Sequence, residues 1–335
     1  MRVLAGDIGG TNARLAVVEI APGGTARILH SARYSSQSYS GLAPIVLQFQ
    51  TEVDVPVESA AFGIAGPVVE GEVKTSNIPW HISARALAEE IGIRRTVLLN
   101  DFEAVGNGAP WLGRENVATL QEGERVERGT IALIGAGTGL GEGFLVWQGG
   151  RYMVYPSEGG HVDFAARGEL QWGLAKWIRA EYGNASYERV VSGPGLLNVY
   201  RYLAESGFAP ERPEVRAEME SEDPAAIISR RALAGTDPLC AKTLDIFISV
   251  YGAQAGNLAL TVLATGGVYL AGGIAPRILE KLRGGVFLES FSQKGRFSGL
   301  MAKVPVHVIL SQEVGLIGAA AEALRVAALT LDNAS

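Results

Sequence analysis

Two stretches of this chain follow one order: an apolar run, glycines, a threonine, then a second β-like run. They are LAGDIGGTNARLAVVE near the start and IALIGAGTGLGEGFLVW from residue 131, with Thr11 and Thr138 in comparable places. Val3 to Ile8 reads as a buried strand and Arg14 to Ile20 as a second, joined by a hairpin-length GGTNA. The element after the glycines excludes the commoner phosphate loops. A dinucleotide fingerprint opens a helix, whereas a strand succeeds Gly135, Gly137, Gly139 and Gly141. A Walker loop needs a lysine after its last glycine, and a protein-kinase loop comes with H-R-D and D-F-G elements. The chain has none of these. What remains is a hairpin turn whose amides curve around an anion, with glycine keeping Cβ atoms out of the concavity. Singly, either loop could be a tight hairpin and nothing more. Together with a third glycine cluster, AGGIAP at 271–276, they suggest a nucleotide phosphate site and duplicated halves. Asp7, at the end of the first strand, would repel phosphate but could hold a hydrated Mg²⁺ that bridges to it.

Length and composition narrow the class. At 335 residues, two domains are the natural expectation. A chain that is 47% hydrophobic and 19% charged suits a globular protein. A net charge of -6 provides no basic footprint, so nucleic acid is not an expected partner. Cys240 is the single cysteine, too few for a disulfide or a thiolate zinc site. With no leader-like segment at its start, the chain is expected in the reducing cytoplasm. No apolar run approaches the roughly 18 residues of a membrane span.

Between the glycine loops, 41–50 reads as helix and 59–68 as a strand ending in Gly-Pro. Residues 83–93 read as a helix with Ser83 as N-cap and Gly92 as stop, and 96–101 as a strand. This alternation is that of a βαβ unit. QEGERVERG at 121–129 reads as a surface loop or domain junction. Beyond the second hairpin, 168–260 is largely helical, 268–273 and 304–310 are strands, and 315–328 is a closing helix. His30, His81 and His307 stand at no ligand spacing and read as structural.

GDIGGTNARLA, LLNDFEA, GAGTGLGEG, SEGGH, YERVVSGPG and LAGGIAP, in this order, resemble the bacterial glucokinase family of the sugar kinase, hsp70 and actin superfamily. The likeness runs from about residue 3 to 320. It implies an α/β, two-lobed actin-like ATPase (ribonuclease H-like) fold with a cleft between the lobes. The small lobe would be 1–110 plus about 311–330, and the large lobe 111–310. It implies ATP and Mg²⁺, with Gly6, Asp7, Ile8, Gly9, Gly10 and Thr11 and the loop of Gly137 and Thr138 around the phosphates. Gly272 and Gly273 would lie near the adenosine. Asn77, Asn100, Asp101, Glu158, His161 and Glu188 would hold the sugar hydroxyls, with Asp101 as catalytic base and Asp7 as the Mg²⁺ residue through water. A homodimer is implied too.

The residue types suit the chemistry, because carboxylates, Asn and His can bond hydroxyls that both donate and accept. Each has a plainer reading. Asp101 or Asn100 could be a helix N-cap, Glu158 and His161 polar residues of an exposed turn, and Glu188 a surface ion-pair partner. Where ROK sugar kinases carry a cysteine-rich zinc motif, this chain reads VDFAARGELQWGLAKWIRAEYGNAS. That argues against a ROK protein and suggests that helix packing through Trp172 and Trp177 positions the loop. The expected activity is phosphorylation of glucose at its 6-hydroxyl. The competing readings are a kinase of mannose or fructose, a sensor that no longer catalyses, and a phosphohydrolase of the same superfamily.

Overall fold

The structure, a computed structural model, describes residues 1–20, 26–75 and 78–328. Asn77 lies outside the described residues. The chain forms two compact units, Met1–Gly113 with Ser311–Ser335, and Arg114–Leu310.

The first unit is built on strands β1 (Arg2–Ile8), β2 (Asn12–Ile20), β3 (Ala26–Ser35), β4 (Ser59–Ile64) and β8 (Thr96–Asn100), in the order β3-β2-β1-β4-β8. β1 is antiparallel to β2 and parallel to β4, which is parallel to β8. β5 (Val68–Val69), β6 (Glu72–Lys74) and β7 (His81–Ser83) make a separate small sheet. Successive side chains of a strand face opposite ways, so β1 serves two cores. Leu4 and Ile8 join the cluster that includes Leu42, Ile45, Phe49 and Leu87 of helices α1 (Leu42–Val53) and α2 (Ala84–Ile91). Val3 and Ala5 join Leu316, Ala319, Ala320 and Ala323 of the C-terminal helix. Helix α3 (Asp101–Gly108) follows β8 directly and crosses that C-terminal helix at Gly108 and Gly318. A Cβ on either glycine would overlap backbone atoms of the other helix.

The second unit repeats the plan. β9 (Val117–Gln121), β10 (Ile131–Ala136), β11 (Leu140–Gln148), β12 (Arg151–Ser157), β13 (Gly267–Ala271) and β14 (Val306–Ile309) lie in the order β12-β11-β10-β13-β14-β9. Its first five positions have the same pairing directions as the sheet of the first unit. Between β12 and β13 run α4 (Gly168–Tyr182), α5 (Gly193–Glu205), α6 (Pro213–Ser221), α7 (Pro224–Leu233) and α8 (Pro238–Thr261). α9 (Leu279–Arg283), α10 (Val286–Ser292) and α11 (Ser298–Met301) precede β14, and α12 (Val314–Ala328) is the closing helix of the first unit. α8 starts cleanly because Asp237 accepts from the Cys240 amide and Pro238 opens the helix. Gly252 and Gly256 let the α10 backbone lie against α8, around a core holding Phe247, Tyr251, Phe287 and Phe291.

The hairpins, the 83–93 helix with Gly92 left-handed at φ 71°, and the closing helix stand where the residue pattern puts them. Ser83 occupies the N-cap position, but its side chain makes no capping bond. The strand expected before Gly66-Pro67 ends at Ile64, and that over 304–310 is the shorter Val306–Ile309. β3 and β9 carry no strand signal strong enough to read. In β3, at the sheet edge, Arg27, His30 and Arg33 interrupt the apolar pattern.

Candidate active site

In the first unit, Asp7, Asn100 and Asp101 gather at the carboxyl ends of parallel strands, where open α/β sheets bind ligands. Asp7 pairs in register with Arg14 on β2 and with Gly63 on β4. A Cβ on Gly63 would stand 2.8 Å from that of Ala104 and 3.8 Å from the Asp101 Cα, so this glycine makes room for the start of α3 to lie against β4. A Cβ on Gly315, in the first turn of α12, would stand 3.6 Å from the Asp7 carboxyl carbon. Burial raises the pKa of Asp7, the Arg14 guanidinium lowers it, and the Asp101 charge raises it again.

The loop after β1 is shorter than the motif. Gly6 lies mid-strand, where its missing Cβ makes room for the Phe62 ring, and the side chain of Ile8 is in the core. The turn proper is Gly9 to Thr11. The Gly9 amide donates to the Asn12 carbonyl at 2.9 Å, the Ser36 hydroxyl to the Gly9 carbonyl at 2.7 Å, and the Ser36 amide to the Thr11 carbonyl at 3.0 Å. These bonds commit the Gly9 amide and carbonyl inside the turn, and the Thr11 side chain is exposed.

Either Asn100 or Asp101 could have capped α3, and the structure chooses Asn100. Its Oδ1 accepts from the amides of Phe102 at 2.9 Å and Glu103 at 3.3 Å, while its Nδ2 donates to the Gly66 carbonyl at 2.9 Å. Asp101 is therefore the first helical residue, solvent-accessible at its tip, with Oδ1 accepting from the Phe102 amide at 2.8 Å. Desolvation by the surrounding protein raises its pKa, against the hydrogen bonds from Phe102 and Asn100.

The second unit presents its own turn at the carboxyl ends of β10 and β13. The Gly137 amide donates to the Gly139 carbonyl at 2.8 Å, and the Gly193 amide donates to the Gly137 carbonyl at 2.8 Å. That second bond sets the amino end of α5, capped by Ser192, beside the turn. Free amides at a helix start attract anions. Gly272, at φ 82°, has no room for a Cβ against the Ala136 carbonyl, and the Ile274 amide donates to the same carbonyl at 3.3 Å. Gly137, Thr138, Gly272 and Gly273 thus share one end of the sheet, with Thr138, Gly272 and Gly273 exposed.

Glu158, His161 and Glu188 come together in this unit. His161 Nε2 lies 3.8 Å from Glu158 Oε2 and His161 Nδ1 3.8 Å from Glu188 Oε1. Glu188 is anchored, its Oε2 accepting from the Leu140 amide at 2.9 Å, while Glu158 is 90% exposed. The segment between is held mainly by backbone. Asp163 bridges Ser186, the Phe164 amide donates to the Ala185 carbonyl at 2.8 Å, and the Phe164 ring meets Tyr187 edge-on at 5.7 Å. The two tryptophans expected to position the loop add to this from α4. Trp172 is half exposed and its Nε1 donates to the Ala166 carbonyl, and Trp177 Nε1 donates to Glu205. Phe164 and Tyr187 are buried in the second core, and Trp177 packs partly buried against it.

Sequence reasoning passed over Glu142. It is buried on β11, its Oε1 accepts from Gln254 Nε2 at 2.9 Å, and burial pushes its pKa to about 7. The signal was a charge within GLGEGF, between residues that a sheet would bury.

Comparison with known proteins identifies the family. The glucokinase family model matches residues 4–326. A glucokinase of Nostoc sp. is 45% identical, covering 96% of this chain and 99% of its own. One of Escherichia fergusonii is 38% identical, covering 95% of each. The crystal structure of a glucokinase from an Antarctic psychrotroph superposes with a TM-score of 0.87 at 32% identity, over 97% of this chain and 99% of its own. A Streptomyces griseus ROK glucokinase, solved with glucose and AMPPNP, shares the fold at a TM-score of 0.64 and 23% identity, over 97% of this chain and 100% of its own. With its motifs in order, its paired sheets and its carboxylates at the strand ends, the chain belongs to the glucokinase family, whose members are ATP-dependent sugar kinases.

Proposed function

We propose that the chain transfers the γ-phosphoryl group of ATP to the 6-hydroxyl of D-glucose, with Asp101 as general base. The observation that carries the role of Asp101 is the division of labour at α3. Asn100 takes the capping bonds, and the Asp101 carboxylate is left at the strand end with a raised pKa. A stronger base at that position accepts the hydroxyl proton more readily as the phosphoryl group transfers. Asn100, Glu158, His161 and Glu188 hold the other hydroxyls, and the His161 ring bridging two carboxylates suits a polyol that donates and accepts in pairs. The turns at Gly10–Thr11 and Gly137–Thr138, the start of α5 and the Gly272–Gly273 turn receive the nucleotide.

The residues fit a divalent cation held through water. Asp7 and Asp101 are carboxylates close enough to raise the pKa of Asp7, and a cation beside them would relieve both that repulsion and the cost of burial. Mg²⁺ there would neutralise phosphate charge during transfer. We further propose a homodimer in the cytoplasm. Among the described residues, no helix is long and apolar enough to cross a membrane.

The test is a coupled assay with ATP, Mg²⁺ and a panel of glucose, mannose and fructose, with ADP release measured. Turnover with glucose and a lower kcat/KM for the others is expected. Absence of turnover with every hexose overturns the reading, and sugar binding by calorimetry without turnover would identify a sensor.

A further inference from the structure

One polar chain, buried at Glu142 and Gln254 and half-buried at Asn257 and Lys294, touches both parts of the Glu158, His161 and Glu188 cluster. Glu142 Oε1 accepts from Gln254 Nε2 at 2.9 Å, and Gln254 Oε1 accepts from Asn257 Nδ2 at 3.2 Å. The same Asn257 nitrogen donates to the Tyr187 hydroxyl at 2.9 Å, and Tyr187 immediately precedes Glu188. Lys294 closes the far end, donating to Asn257 Oδ1 at 2.6 Å and to the Ala253 carbonyl at 2.8 Å. At the near end, Glu142 lies under the turn that carries Glu158 and His161. A Cβ on Gly159 would overlap the Glu142 carboxylate, and the Gly159 amide donates at 3.0 Å to Ser157 Oγ, on the residue paired across the sheet with Glu142.

A buried carboxylate of this kind lowers stability unless a cation or full hydrogen bonding compensates. The titratable groups facing Glu142 are Tyr187 and Tyr251, and Lys294 reaches it only through Asn257 and Gln254. With Glu158, His161 and Glu188 above and, among the described residues, no cation directly against it, its charge lies beneath a cluster already rich in carboxylates. Resting on the sugar-site reading above, we propose that Glu142 is a positioning residue for the sugar, fixing the Gly159 turn directly and the Glu188 segment through Gln254, Asn257 and Tyr187.

The test is Glu142→Gln, which keeps the volume and removes the charge, with glucose and ATP titrated separately between pH 6 and 8. Glucose KM is expected to rise about tenfold, with kcat and ATP KM within threefold. Wild-type glucose KM is expected to change across this range, because Glu142 titrates near 7, and the variant to lose that component. Calorimetric glucose affinity of the wild type over the same range provides a readout that needs no variant. An unchanged KM and pH profile in Glu142→Gln overturns the proposal, as does a parallel loss in glucose KM, ATP KM and kcat. A wild type that binds no hexose overturns the sugar site and this inference with it. A wild type that binds hexose beside an unaltered variant overturns only this inference.

Discussion

Asp7, Asp101 and Glu142 share one property, a carboxylate pKa raised chiefly by burial, and each is therefore a local source of instability when ionised. The sign follows from proton binding. With Glu142 shifted from 4.5 to about 7, the folded state binds the proton more tightly than the unfolded chain. Its contribution to stability is thus present at low pH and lost as pH rises between those values. Glu142→Gln should remove that loss, raising stability at pH 8 by about 3 kcal/mol and leaving it nearly unchanged below pH 4.5, as urea unfolding at the two pH values would show. Asp7→Asn should raise the thermal midpoint of the ligand-free protein at neutral pH while lowering kcat and weakening the response to Mg²⁺, a stability–activity exchange measurable on one preparation. Asp101→Asn should lower kcat by about 10²–10⁴-fold with glucose affinity retained. In wild type the acid limb of kcat should lie above the ordinary aspartate range, because Asp101, as the proposed base, must lose its proton first. Near-normal kcat in Asp101→Asn would remove it as the base. The choice between Asn100 and Asp101 as cap was not legible in the residues, since both types cap helices well. It was settled by the bonds from Phe102, Glu103 and Gly66.

At the scale of elements, the glycines divide into those that leave space for a ligand and those that leave space for protein. Within GDIGGT, Gly6 makes room for Phe62 and only the turn after Ile8 is free of the sheet. Gly159 and Gly160 of SEGGH are likewise small because the Glu142 side chain and the Leu140 carbonyl lie against them. Gly108 and Gly318 set the close crossing of α3 and α12, which positions the helix that begins at Asp101. Gly318→Ala should overlap the Ala104 carbonyl and destabilise the first unit by about 1–3 kcal/mol. The measurement is the urea midpoint, and a neutral result would mean that α12 can shift without loss. Composition alone could not sort these glycines, because the atom that a Cβ would meet comes from residues distant in the chain.

At the scale of the whole molecule, the same sheet plan occurs twice and the chain returns at its end to complete the first unit. The Ala-rich face of α12 covers Val3, Ala5, Ala16, Val18 and Ala61. A chain stopped after Leu310 should leave that face of the sheet bare, so the first unit should lose cooperative unfolding and the protein should bind a hydrophobic dye. Retention of the full-length transition would show that α12 is dispensable to the unit.

The order of local patterns determined much of this: paired strand–glycine–strand hairpins, a helix stopped by Gly92, a closing helix of Ala and Leu, and the family itself. Such features follow from backbone freedom at glycine and from the alternation of apolar residues, both of which are local. The sequence alone left open which glycines face a ligand, that Asn100 caps α3, that backbone pairing holds the Glu188 segment, and that Glu142 is buried beneath it. Each of those depends on groups brought together by sheet register and helix crossing, whose distances no spacing along the chain encodes.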